Sequence, residues 1–254
     1  MTRFLMLIYG AASYVLFLLT VLWTIAWTAD VSVLGLPTID HSTWVPWGEA
    51  ITIDGALLTV FFLHHSVFAR MRVKRWFAAV LPAPIERSTY VLVASALLLL
   101  LLAQWRPMTG QVWHARGASA LLLWVMQALG WLIVLVSTFT ISHFELFGLK
   151  QVWQHWRGQP DTSLGFFVRG LYRLVRHPLM LGFVIAFWAT PHMSAGHLLF
   201  AGSTTAWILI ALHFEEHELR VAFGDRYANY QRDVPMLVPG AKVLSKKTLR
   251  RTRG

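Results

Sequence analysis

Four uninterrupted apolar stretches, roughly residues 4–28, 49–69, 89–105 and 119–141, constrain this chain more than any other feature. A helix rises about 1.5 Å per residue and the bilayer's hydrocarbon core is about 30 Å thick, so about 20 mostly apolar residues make one crossing. The runs are continuous rather than alternating, which fits helices and not the strands of a closed barrel. Charged residues fill only 13 % of the 254 positions, hydrophobic ones fill 56 %, and mean hydropathy is +0.54. A soluble domain carries about 25 % charged residues. Half the usual solvating surface is missing, which excludes disorder and an ordinary soluble enzyme. The absence of cysteine excludes a disulfide, an iron–sulfur cluster, a thiolate zinc site and a cysteine nucleophile.

A further apolar region, 179–213, is broken by Pro191-His192-Met193-Ser194-Ala195-Gly196. It predicts a tight helical hairpin whose first arm is short for a full crossing. The first stretch is too long for a cleaved signal peptide and lacks a convincing small-residue cleavage site. Trp23, Trp27, Trp44, Trp47, Trp105, Trp113 and Trp153 fall near span ends, as interfacial aromatics do. The expected fold is therefore an all-α, polytopic membrane bundle of four spans plus a C-terminal hairpin. No internal repeat and no soluble second domain are evident, so residues 1–254 read as a single domain.

Charge sets the orientation. With a cytoplasmic N-terminus, twenty of the 22 basic residues fall on cytoplasmic segments, leaving only Arg106 and Arg116 outside. Asp30, Asp40 and Glu49 lie in the first external loop. This is the positive-inside pattern, and it puts both termini in the cytoplasm. The net charge of +10 is thus juxtamembrane, which suits anionic lipid and argues against nucleic acid. The basic run from Lys246 to Arg253 reads as a lipid-attracted end.

Five polar clusters then fall at the cytoplasmic ends of the spans: His64-His65, Glu86 to Tyr90, His143 with Glu145, Arg176-His177-Pro178, and Glu215-Glu216-His217-Glu218. Ionisable groups near a membrane are costly and mark function; their convergence predicts a pocket loaded from the cytosol. Before the hairpin, Arg169, Arg173 and Arg176 share one face of a helical wheel, opposite Leu164, Phe167, Val168, Leu171 and Val175. Pro178 disfavours helical geometry at His177, which places that imidazole at a break. His213-Phe214-Glu215-Glu216-His217 matches the inverted zinc-protease motif, but with no third ligand in the local pattern, and no metal is assigned.

Taken together, Gly170-Leu171-Tyr172-Arg173-Leu174-Val175-Arg176-His177-Pro178, Gly182, Glu215 to Gly224, Tyr227, Tyr230, Val234-Pro235 and Pro239 resemble the isoprenylcysteine carboxyl methyltransferase-like superfamily of membrane methyltransferases, which includes the NnrU-type proteins. His64 to Arg70, Glu86 to Leu92, Gln104 to Pro107 and His143 to Gln151 extend the resemblance over nearly the whole chain, to the bacterial methanethiol S-methyltransferase family. The resemblance implies an inner-membrane enzyme that uses S-adenosylmethionine to methylate a small thiol, methanethiol to dimethyl sulfide. It implies a cofactor region over 165–240, with His177, Pro178, Leu181, Gly182, Glu215, Glu216, Tyr227 and Tyr230 at the cofactor. One departure is Met180, where the superfamily often has tyrosine. Alternatives are another thiol or a lipophilic prenylcysteine or carboxylate acceptor, a metal-dependent hydrolase, or a non-catalytic membrane module. No protein partner is indicated beside the thiol substrate and membrane lipid.

The chemistry agrees. The donor carries a sulfonium, an ammonium and a carboxylate, which glutamates, an arginine and tyrosine rings can engage. No glycine-rich dinucleotide fingerprint follows a strand, so the soluble methyltransferase fold is absent. A thiol must first lose its proton. His65 has the range for a general base, with Glu86 to orient or replace it, Arg87 and Arg176 to stabilise the thiolate and Tyr90 to shape the pocket.

Overall fold

The computed structural model describes residues 2–69, 80–160, 162 and 165–240, and the side chains of 67–69 are outside that description. The basic residues Arg70, Arg72, Lys74 and Arg75, the apolar-face residue Leu164, and the tail from Lys246 to Arg253 therefore lie outside the described residues. The elements run α1 (Arg3–Thr28), α2 (Trp47–Ala69), α3 (Ala83–Gln104), β1 (Gln111–His114), α4 (Gly117–Ile141), α5 (His143–Leu146), α6 (Leu149–Arg157), a 3₁₀ turn (Gly170–Arg173), α7 (Pro178–Trp188), β2 (His192–Ser194), α8 (Ala195–Phe223) and α9 (Asp225–Asp233).

Among the described residues, α1, α3, α4 and α8 are each long and apolar enough to cross a bilayer. Leu19, Leu22, Leu121, Leu122, Leu132 and Phe139 on α1 and α4 are exposed. Apolar surface on this scale is stable only against lipid, and the protein is an integral membrane protein. Hydroxyls inside the helices are satisfied locally: Thr20 donates to the Leu16 carbonyl at 2.7 Å, Thr24 to Thr20 at 2.8 Å and Ser137 to Ile133 at 2.6 Å. Such back-bonding lets a polar residue face an apolar surrounding without an unmet donor.

Two compact units divide the chain. The first comprises 1–115, 142–163 and 191–203; the second comprises 116–141, 164–190 and 204–254. In the first, α1 packs on α3 and α6 around Met6, Ile85 and Val152. Gly10 permits the close approach: a Cβ there would lie 2.6 Å from a Val152 methyl. Trp27, Trp105 and Phe200 form a second buried group, with Trp27 and Trp105 edge to face at 5.4 Å. The break at 191–196 is more than a turn. Residues 192–194 pair antiparallel with β1, and the Ala195 and Gly196 amides donate to the Gly110 and Met108 carbonyls at 2.7 and 3.0 Å.

In the second unit α4 lies along α7. Gly130 and Gly182 face each other so closely that a Cβ on Gly130 would meet the Gly182 carbonyl at 2.8 Å. The hairpin's first arm, α7, has 11 residues and rises about 16 Å, about half the hydrocarbon thickness. Its second arm belongs to one 29-residue helix, α8, which rises about 43 Å. Among the described residues, 165–177, the expected helical face does not form. Residues 165–169 are irregular, and Gly170 takes a φ of +49° that starts the short 3₁₀ turn. Phe166 is drawn onto Phe223, Tyr227 and Tyr230, so the segment follows the aromatic rings of α8 and α9 rather than its own arginine periodicity.

Candidate functional site

Of the polar side chains singled out in the sequence, His64, His65, Arg87 and Tyr90 gather in the first unit and Arg176, His177, Glu215 and Glu216 in the second, while His143 and Glu145 have separate partners. In the first unit, His64, His65 and Tyr90 associate through their rings. His64 stacks on Tyr90 with centroids 5.2 Å apart, and His65 meets the same ring edge-on at 5.9 Å. Arg87 stands 6.0 Å above the Tyr90 ring while its Nε donates to the Leu146 carbonyl at 2.9 Å. His65 Nδ1 is 3.0 Å from the Phe61 carbonyl oxygen. A carbonyl only accepts, so Nδ1 carries the proton and Nε2 of the neutral ring holds the lone pair. Glu86 lies in the first turn of α3, where a carboxylate also suits the positive end of the helix. His143, from another of the clusters, is buried and lies 2.6 Å from the Tyr14 hydroxyl through Nε2. Glu145 pairs with Lys150 at 2.8 Å.

The second unit holds a charged network. His177 is the N-cap of α7, with φ −127° and ψ 64°, which is the break that Pro178 requires. The Arg176 and His177 amides donate to the Pro235 and Met236 carbonyls at 2.9 and 3.2 Å, which ties this break to the segment after α9. Arg176 is buried. Its Nε and Nη2 both reach Glu216 Oε1 at 2.5 Å, and Nη1 donates to the Gln231 and Val234 carbonyls at 3.1 and 2.5 Å. His177 Nε2 lies 3.1 Å from Glu216 Oε1, and its Nδ1 is 3.9 Å from Glu215 Oε2. Gln231 Nε2 donates to Glu216 Oε2 at 3.1 Å. Sequence reasoning missed Gln231. Its only signal was i,i+4 spacing from Tyr227 on a helix with few other neutral polar groups.

Three phenols surround this network. Tyr230 donates to the Tyr172 carbonyl at 2.6 Å. Burial holds the Tyr172 and Tyr227 phenols well above their usual range and pushes Tyr230 up to about 12, so all three remain protonated donors at neutral pH. Tyr227 is 1 % exposed and its hydroxyl has no hydrogen-bond partner among the described residues. Pro178, Leu181 and Gly182 occupy the first turns of α7; Pro178 has no N–H and the Leu181 amide donates to the His177 carbonyl at 3.1 Å, which leaves the Leu179 and Met180 amides at the helix start to favour an anion. Among the described residues no group of three His, Asp or Glu side chains could hold a metal ion, and the glutamate of the inverted zinc-protease motif is committed to Arg176, His177 and Gln231.

The chain matches the family model described as NnrU protein over residues 55–244. It is 53 % identical over 240 residues to a Mycobacterium tuberculosis protein named methanethiol S-methyltransferase, covering 94 % of this chain and 98 % of that one. Against methanethiol S-methyltransferase 2 of Bradyrhizobium diazoefficiens it is 47 % identical over 93 % of this chain and 91 % of the relative. A more distant similarity, 29 % over 68 % of this chain and 70 % of the other, links it to nurim of Danio rerio. No solved structure matches. The motif order around Arg176, His177, Glu215 and Glu216 and these two near-full-length matches agree: the chain belongs to the NnrU family, among its methanethiol S-methyltransferases.

Proposed function

We propose that this chain methylates methanethiol to dimethyl sulfide, with S-adenosylmethionine as donor, in the bacterial inner membrane with both termini cytoplasmic. The observation that carries the reading is the 53 % identity over 98 % of a relative named for that activity. The donor's fit is supported by the second unit's residues. Tyr227 offers a buried hydroxyl without a partner among the described residues, Glu215 offers an exposed carboxylate, and the first turn of α7 suits a carboxylate. His177, Pro178, Leu181, Gly182, Glu215, Glu216, Tyr227 and Tyr230 would hold it. Bound there, S-adenosylmethionine supplies an electrophilic methyl on a positively charged sulfur.

The chain's own task is to make the thiolate. His65 takes the proton: its Nδ1–H is fixed on the Phe61 carbonyl, which leaves Nε2 as the accepting atom. Tyr90 holds His64 by stacking and His65 edge-on, and Arg87 above its ring supplies positive charge toward the developing thiolate. Glu86 is the alternate base. Arg176 is committed to Glu216 and to two backbone carbonyls, so it holds the geometry of the donor region rather than meeting the thiolate. An apolar setting favours the displacement, because opposite charges are cancelled as the methyl moves and water would favour the separated reactants.

Headspace gas chromatography tests the reading. Purified protein given methanethiol and S-adenosylmethionine is expected to release dimethyl sulfide. Methylation of prenylcysteine or another thiol with methanethiol untouched would overturn the assignment of substrate. A periplasmic reporter fused after Gly254 is expected to stay inactive.

A further inference from the structure

The two adjacent glutamates of the second unit do not share one environment. Glu216 has little accepting capacity left. Its Oε1 takes Arg176 Nε and Nη2 and His177 Nε2, and its Oε2 takes Gln231 Nε2. Each carboxylate oxygen has about two lone-pair sites, so three donors crowd Oε1 and a single site stays open on Oε2. The side chain is 15 % exposed, and its partner arginine is itself fixed on two backbone carbonyls. Glu215 is different. Its side chain is 51 % exposed, and among the described residues the nearest basic side-chain atom, His177 Nδ1, is 3.9 Å away, beyond hydrogen-bond reach. Tyr227 adds an independent sign of a ligand, since its hydroxyl is buried, protonated and without a partner among the described residues. A phenol costs stability in that state unless something completes its hydrogen bond.

We infer that Glu216 is a positioning residue, clamped by Arg176 and Gln231 and in turn orienting His177, while Glu215 meets the ammonium of the donor's aminoacyl end and the Tyr227 hydroxyl bonds the donor directly. This rests on the proposed use of S-adenosylmethionine. It divides a pair that the motif treats alike, and it adds Gln231 to the residues that shape the site.

Calorimetry on full-length protein in detergent separates the roles, with S-adenosylhomocysteine and 5′-methylthioadenosine as probes. The second probe lacks the aminoacyl end. Glu215→Gln is expected to weaken S-adenosylhomocysteine tenfold or more and leave 5′-methylthioadenosine unchanged. Glu216→Gln and Gln231→Leu should weaken both by the same factor. Gln231→Glu adds a readout that a purely structural role would not move: binding, relative to wild type at the same pH, should recover as pH falls and the new carboxyl becomes a donor to Glu216. Tyr227→Phe should weaken both probes while leaving the ligand-free melting temperature unchanged or higher. The inference is overturned if Glu216→Gln loses only S-adenosylhomocysteine while Glu215→Gln binds both probes normally. Wild-type protein that binds neither probe overturns the donor reading itself, a pattern distinct from these.

Discussion

The two clusters solve the problem of a polar group in a membrane protein in opposite ways. His64, His65 and Tyr90 are held by ring contacts, with a backbone carbonyl fixing the His65 tautomer. Arg176, His177, Glu216 and Gln231 are held by charge-assisted bonds between residues 15 to 58 apart in the chain. In the first, the Phe61 carbonyl fixes the His65 proton on Nδ1 and leaves Nε2 to accept. The crowded ion pair of the second is suited to hold geometry. The difference teaches that one cluster orients an imidazole nitrogen for proton transfer while the other fixes the positions of its side chains.

His65→Gln breaks the comparison most sharply. A positioned general base contributes about 10²- to 10⁴-fold. The rate of dimethyl sulfide release should fall by that order, with S-adenosylhomocysteine affinity unchanged. The deficit should shrink toward alkaline pH, where the thiol ionises unaided. A variant that keeps its full rate at every pH would move the base to Glu86.

Arg176→Met tests the other side. Removing one partner of a buried pair leaves an uncompensated charge, at a cost of about 3–5 kcal/mol. Thermal denaturation in detergent should show that loss without any ligand present. His65→Gln, by contrast, should melt close to wild type, because it removes one backbone hydrogen bond worth about 1 kcal/mol. Similar melting of the two variants would erase the distinction between a reactive and a load-carrying cluster.

Tyr230→Phe is smaller. It removes the bond to the Tyr172 carbonyl, worth about 1 kcal/mol net, and should soften ligand affinity slightly because Tyr230 borders Tyr227 and Phe166. A loss as large as that of Arg176→Met would place the phenols, not the ion pair, at the centre of the network.

Much of this was legible in the chain. Three of the four expected spans, 4–28, 89–105 and 119–141, fall on helices long and apolar enough to cross. Among the described residues the fourth such helix is α8 rather than the expected 49–69, and Pro178 after His177 marks the break that the structure contains. Arg176, His177 and Glu216 meet as their spacing around a hairpin implied. What was not legible depends on distant partners. β1 and β2 are four and three residues long, too short for periodicity to show, and exist only because each supplies the other's hydrogen bonds. The arginine stripe before the hairpin looked helical because its spacing is helical. Phe166, held on the rings of α8 and α9, and the left-handed Gly170 outweigh that local pattern. Gln231 escaped notice because an amide carries no charge to attract attention until its carboxylate partner is known.

The exposed ion pair of the first unit gives the smallest effect and the cleanest control. His41 Nδ1 lies 2.9 Å from Asp30 Oδ1, but the histidine side chain is 74 % exposed. Its hydrogen bond and charge interaction with Asp30 raise the imidazole above its usual value. A raised pKa means that the folded state holds the proton more tightly than the unfolded one. The stabilisation is therefore fully present below the unfolded value of 6.5 and is lost as pH rises through the higher folded value. Solvent and salt screen so exposed a pair, and such pairs are worth about 0–1 kcal/mol. Melting curves of wild type and His41→Ala should accordingly differ only slightly at pH 6 and converge by pH 8, and salt should narrow the gap at pH 6. A gap for His41→Ala that grows with pH would reverse the sign of the linkage and remove Asp30 as the cause.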